Sequence, residues 1–116
     1  MTTIDYNCRK FRSVNNSPNG EVDEETVFEY FQQDEIVWGT YRGGAIRWGT
    51  LIAKVDGKGH LDMRYQHINA QGEIMTGKCR STPELLPDGR LRLHEDWQWT
   101  SGDGSAGTSV VEEMRD

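Results

Sequence analysis

Hydrophobic and polar residues alternate along most of the chain. The clearest case is LRLHEDWQWT, residues 91–100. Leu91, Leu93, Glu95, Trp97 and Trp99 share one face, and Arg92, His94, Asp96, Gln98 and Thr100 share the other. A period of two is the mark of a half-buried β-strand. In LDMRYQHIN (61–69), Leu61, Met63, Tyr65 and His67 fall together, so the inward face grows more polar along the strand. IMTGKCRST (74–82) sets Met75, Gly77, Cys79 and Ser81 on one side. In IRWGTLIAKV (46–55) either Ile46, Trp48, Thr50 and Ile52 or Arg47, Gly49, Leu51, Ala53 and Val55 could face inward; the second set is preferred because it leaves Lys54 in water, although it also leaves Trp48 exposed.

Turn signals rich in Gly, Asn, Asp and Pro recur at short intervals, as in NNSPNGE, RGG, DGKG, NAQGE, LPDGR and SGDGSAG. Between them lie segments too short for helices. They predict eight strands: Lys10–Asn15, Thr26–Gln32, Ile36–Tyr41, Ala45–Val55, His60–Ile68, Ile74–Thr82, Leu91–Thr100 and Thr108–Met114. A helix competes only in DEETVFEYF (23–31), where three acidic residues suit a first turn; the strand is preferred. The fold class is all-β, a single antiparallel up-and-down β-barrel of about eight strands, lipocalin- or calycin-like, spanning residues 1–116 as one domain. Closure hides the two edges that an open sheet would expose. Gly39, Gly49 and Gly77 sit inside strands, where they read as bends or as close-approach points for an opposing aromatic.

Composition fits a barrel with some polar inward positions. The hydrophobic fraction is low, at 34%, but four Trp, four Tyr and three Phe bury much area per residue. A net charge of −6 opposes nucleic acid and anionic membrane surfaces as partners. The start, MTTIDYNCRKF, has no apolar signal region, and no apolar run is long enough to span a membrane. Cys8 and Cys79 are expected as free thiols in a cytoplasmic, reducing setting. The oligomeric state is left open.

An eight-stranded barrel is either filled by side chains or just wide enough for one small ligand. The inward residues combine apolar bulk with a few polar groups, the usual chemistry of a small-molecule pocket. The candidate ligand-binding residues are Met63, Tyr65, Trp97 and Trp99 as wall, with His67 and Glu95 as polar anchors. No catalytic residue is assigned. An enzyme in the same barrel would use His67 and Glu95 as an acid/base pair. His94 faces outward, and His60 beside the DGKG turn is expected in solvent. His67, Glu95 and Cys79 have no metal-ligand spacing, so no metal is assigned. Cys79 lies between Lys78 and Arg80, yet an inert buried thiol is the preferred reading. No phosphate loop or Gly-x-Ser-x-Gly elbow occurs, and no cofactor is assigned.

FRSVNNSPNGEV, GGAIRWGTLIAKVDGKGHLDMRYQHIN and GEIMTGKCRSTPELLPDGRLRLHEDWQWTSGDGSAGTS together resemble a family of small bacterial proteins often named N-acetylglutamate synthase by automatic labelling. The resemblance runs from Phe11 to Glu113 and is most specific from TGKC to WTSGD. It implies a lipocalin-type barrel. The label implies acetyl transfer, which needs a pyrophosphate cradle, usually at a helix N-terminus. The sequence shows no strand-then-helix unit to supply one, and the family offers no catalytic residues to carry over. The leading expectation is therefore a cytoplasmic barrel holding a small hydrophobic or aromatic molecule. The alternatives are the His67/Glu95 enzyme and a filled-core structural or interaction protein.

Overall fold

The computed structural model describes residues 4–114. Its strands are β1 (Arg9–Asn16), β2 (Val27–Gln33), β3 (Ile36–Gly43), β4 (Ile46–Val55), β5 (Leu61–Asn69), β6 (Ile74–Leu85), β7 (Leu91–Trp99) and β8 (Ala106–Glu113). Each pairs antiparallel with its sequence neighbours, and β8 returns to β1, closing the barrel. The contested segment 23–31 is a turn followed by β2, and no helix forms among the described residues. β6 runs further than expected, through Pro83. β5 has already ended its pairing at Ser81, so the missing proline N–H leaves no gap on that side.

Because the strands alternate in direction, the connections sort to two ends. Residues 34–35, 56–60 and 86–90 lie at one end, the floor. Residues 17–26, 44–45, 70–73 and 100–105 lie at the other, the mouth. The floor is solid. Phe11, Tyr30, Val37, Leu61, Leu93 and Val111 are all but inaccessible, and Tyr6 closes them from below. The Tyr6 hydroxyl donates to the Gly59 carbonyl at 2.5 Å, and its backbone N–H donates to Gln32 Oε1 at 2.9 Å. A stopper held at both ends leaves the mouth as the way in.

The inward faces of β5, β6 and β7 follow the alternation expected of them. In β4 the expected set is right for Gly49, Leu51 and Ala53 but wrong for Arg47. The pairing slips between Ile46 and Trp48, so Arg47 turns outward and Ile46 is buried in its place. A bulge of one residue reverses the face of whatever precedes it. Trp48 stays outside, with the Arg42 guanidinium 5.4 Å from its ring centre. His60, expected in solvent, is half-buried, its Nδ1 3.2 Å from Asp56 Oδ2.

Two of the mid-strand glycines seat aromatic rings. Gly49 lies opposite Tyr41, and Gly77 opposite Tyr65. A Cβ on Gly49 would stand 2.5 Å from Tyr41 Cζ, and one on Gly77 would strike the Tyr65 ring. The rings lie flat across bare backbone and so point along the wall instead of filling the axis. Gly39 departs from this pattern: its close neighbour is the Glu29 carbonyl. Gly49→Ala is expected to cost about 1–3 kcal/mol by urea denaturation, because the Tyr41 ring is itself packed against Phe28 at 5.0 Å.

Candidate functional site

The mouth half of the barrel holds a cavity of about 50 Å³ that remains partly open to solvent. Its lining includes all six residues singled out in the sequence: Met63, Tyr65, His67, Glu95, Trp97 and Trp99. One water needs about 10–15 Å³ of such space, so the cavity has room for a few waters and is small for a metabolite. What reduces it is the β1–β2 connection. Residues 17–26 form the longest loop in the barrel, and Gly20, Glu21 and Val22 fold down over the opening.

The loop is fastened by hydrogen bonds to the wall. Trp99 Nε1 donates to the Asn19 carbonyl at 3.1 Å, and Trp97 Nε1 donates to Asn16 Oδ1 at 3.2 Å. Asn16 Nδ2 in turn donates to the Val22 carbonyl at 2.9 Å. Asn19 Nδ2 reaches the β7–β8 side, at 3.0 Å from Ser105 Oγ and 3.1 Å from the Ala106 carbonyl. The two indoles stand edge to face, 5.5 Å between centres.

Glu21 reaches the inner wall. Its Oε1 lies 2.7 Å from His67 Nε2, and its Oε2 accepts from Asn69 Nδ2 at 3.0 Å. On its far side His67 Nδ1 is 2.8 Å from the Tyr41 hydroxyl. Nε2 thus faces the carboxylate and Nδ1 the tyrosine hydroxyl, so both ring nitrogens have a partner. Asn69 is equally fixed, because its Oδ1 accepts the backbone N–H groups of Gln71 and Glu73 at 3.1 and 2.9 Å. That orients the amide nitrogen toward Glu21 and, at 3.0 Å, toward Glu73 Oε1. Burial pushes the Tyr41 hydroxyl well above the ordinary tyrosine range, so it stays protonated.

His67 and Glu95 do not pair. Glu95 lies across the cavity, where its two oxygens accept from Ser109 Oγ at 2.9 Å and Ser81 Oγ at 3.2 Å. Its proton affinity rises to about pKa 7, because burial penalises the anion more than the two hydroxyls stabilise it. The side chain borders the free space on one side and is packed in protein on the others, and that packing raises its proton affinity. Cys79 lies beside Ser81, Sγ to Oγ 3.6 Å, and burial pushes its thiol up, so the inert reading holds there. Cys8 is exposed, and both thiols are free. Among the described residues no group of three or more His, Cys, Asp or Glu is placed to hold a metal ion.

Sequence reasoning found the wall and missed the lid. Glu21, Asn16, Asn19, Tyr41 and Asn69 were not singled out. One signal was available: a connection of ten residues, 17–26, in a meander whose other turns are short is a recognised place for function. No curated protein and no solved structure matches the chain. A family model described as avidin-like protein matches it over residues 4–114, nearly its whole length. With its closed eight-stranded barrel and that match, the chain belongs to the avidin-like protein family, a calycin-type barrel family.

Proposed function

We propose that the barrel binds one small, largely apolar or aromatic molecule in its mouth half, beneath the 17–26 loop. One observation carries the reading: strand-borne side chains leave the upper interior unfilled, and a single loop covers it. Membership of a family whose barrels bind small, biotin-like ligands supports it. Met63, Tyr65, Trp97 and Trp99 supply apolar and aromatic walls, His67 a polar contact near the opening, and Glu95 a polar group below. Both Glu95 oxygens already accept from serines, so when the acid is protonated its O–H is left for a ligand acceptor. Ligand pockets usually occupy about 300 Å³ or more, so binding requires the loop to lift.

The enzyme reading loses its acid/base pair, since His67 is engaged by Tyr41 and Glu21 and Glu95 by two serines. No described residue is helical, so none supplies the helix N-terminus that usually cradles a pyrophosphate, which weighs against the acetyl-transfer label. The two unpaired thiols fit a reducing, cytoplasmic setting.

The test is a titration of the wild-type protein with a panel of aromatic and heterocyclic compounds, biotin among them, followed by tryptophan emission and melting temperature. A ligand is expected to quench Trp97 and Trp99 and to raise the melting temperature, with about 2.7 kcal/mol of added stability at a hundred times its Kd. A panel that moves neither signal would favour the filled-core alternative over ligand binding.

A further inference from the structure

The loop does not merely cover the opening; it fills the hydrogen-bonding positions of the wall. Two side-chain donors converge at the mouth, His67 Nε2–H and Asn69 Nδ2–H, and both end on one carboxylate, that of Glu21. Both donors belong to buried residues, at 3% and 0% exposure, two positions apart on the inward face of β5. Their orientations are imposed from behind, by Tyr41 on the histidine and by two backbone N–H groups on the asparagine. They are therefore set independently of Glu21. A pair of preoriented donors aimed at the two oxygens of one carboxylate is a carboxylate-binding subsite.

We propose that Glu21 is an internal stand-in for the carboxylate of the ligand, and that the ligand displaces it when the loop lifts. This rests on the small-molecule reading above and names the ligand class: a small carboxylic acid with a flat, apolar body. The reason is the cost of an empty subsite. Once Glu21 leaves, two buried N–H groups have no acceptor unless the incoming molecule supplies one. An apolar molecule without an acceptor would leave them orphaned and be rejected. The net charge of −6 does not forbid the exchange. One carboxylate replaces another in the subsite, and Glu21 moves to water, where salt screens it.

The subsite is tested with acetate as probe. Glu21→Ala vacates it without touching the wall. The variant is expected to melt below wild type and to recover with added acetate, while acetate leaves the wild-type protein unchanged. The His67 Nε2 resonance should move with acetate in the variant only. Acetamide, which offers one neutral oxygen, should restore much less. Equal rescue by acetamide, or no rescue by acetate, overturns the assignment.

Should Glu21→Ala fail to fold, the wild-type protein supplies the test through matched pairs. 3-Phenylpropanoate is expected to bind about tenfold tighter than 3-phenylpropanamide and to deprotect the Gly20 amide, which now donates to the Ser17 carbonyl at 2.9 Å. Equal affinity of acid and amide removes the carboxylate subsite and leaves the ligand-binding barrel standing. Acetate rescue in a protein that binds no panel compound removes the function and leaves the subsite.

Discussion

Trp99→Ala will lower the stability of the barrel by about 3–5 kcal/mol, the usual cost of removing a large buried aromatic. The indole is only 6% exposed. It meets Trp97 at 5.5 Å, His67 at 5.8 Å and Tyr65 at 6.1 Å between ring centres, so its loss strips three neighbours at once. It also holds the lid, through Nε1 to the Asn19 carbonyl. Replacing it therefore acts twice, by emptying space at the mouth and by releasing one fastening of the loop. Urea denaturation is the measurement, with the midpoint falling and the slope retained. Trp38→Ala is the comparison, since Trp38 stands 41% exposed on the outer face. A Trp99 variant no less stable than the Trp38 variant would mean that the inner indole packs against nothing of consequence.

The second large effect is on pH. Glu95 binds its proton up to about pH 7 in the folded barrel, against 4.5 when free. Between those values the unfolded chain gives up a proton that the folded chain keeps. Raising the pH across this window therefore favours unfolding, and the barrel should lose stability from about pH 4.5 to 7 and level off above. The interval corresponds to about 3 kcal/mol. The other groups whose proton affinity the fold clearly shifts titrate outside this window. Tyr6, Tyr30, Tyr65 and Cys79 are weak acids pushed upward by burial and stay neutral throughout. Asp56, Glu84 and Asp103 are held below their ordinary values by hydrogen bonds, so their contributions fade on acidification below the window. Glu95→Gln keeps the shape and should flatten the profile between pH 5 and 7. A wild-type stability that rises over that range, or a glutamine variant with the same fall, would show that Glu95 is ionised in the folded state.

Much of the fold could be read from alternation. Trp97, Trp99, Leu93 and Glu95 face inward because every second residue of β7 must, and turn chemistry set the number of strands. Arg47 escaped because a bulge breaks the count locally, and hydrophobicity alone does not locate bulges. The His67–Glu95 pairing failed for another reason. Alternation says which face a residue takes but not its level along the axis. Pairing puts Glu95 opposite Ser81, and Ser81 opposite Leu61, six residues along β5 from His67. The true partner of His67 comes from a loop, where no periodicity exists. Glu21 is 46 residues from His67 in sequence, and only the path of the loop brings them together.

Seven of the eight ladders join strands adjacent in the chain, and each can zip from its own turn. The eighth cannot, since it must bring Phe11 to Glu113. Formed first, it would have to close a flexible loop of nearly the whole polypeptide. The seam between first and last strand is thus expected to close after the local ladders have ordered the chain between them.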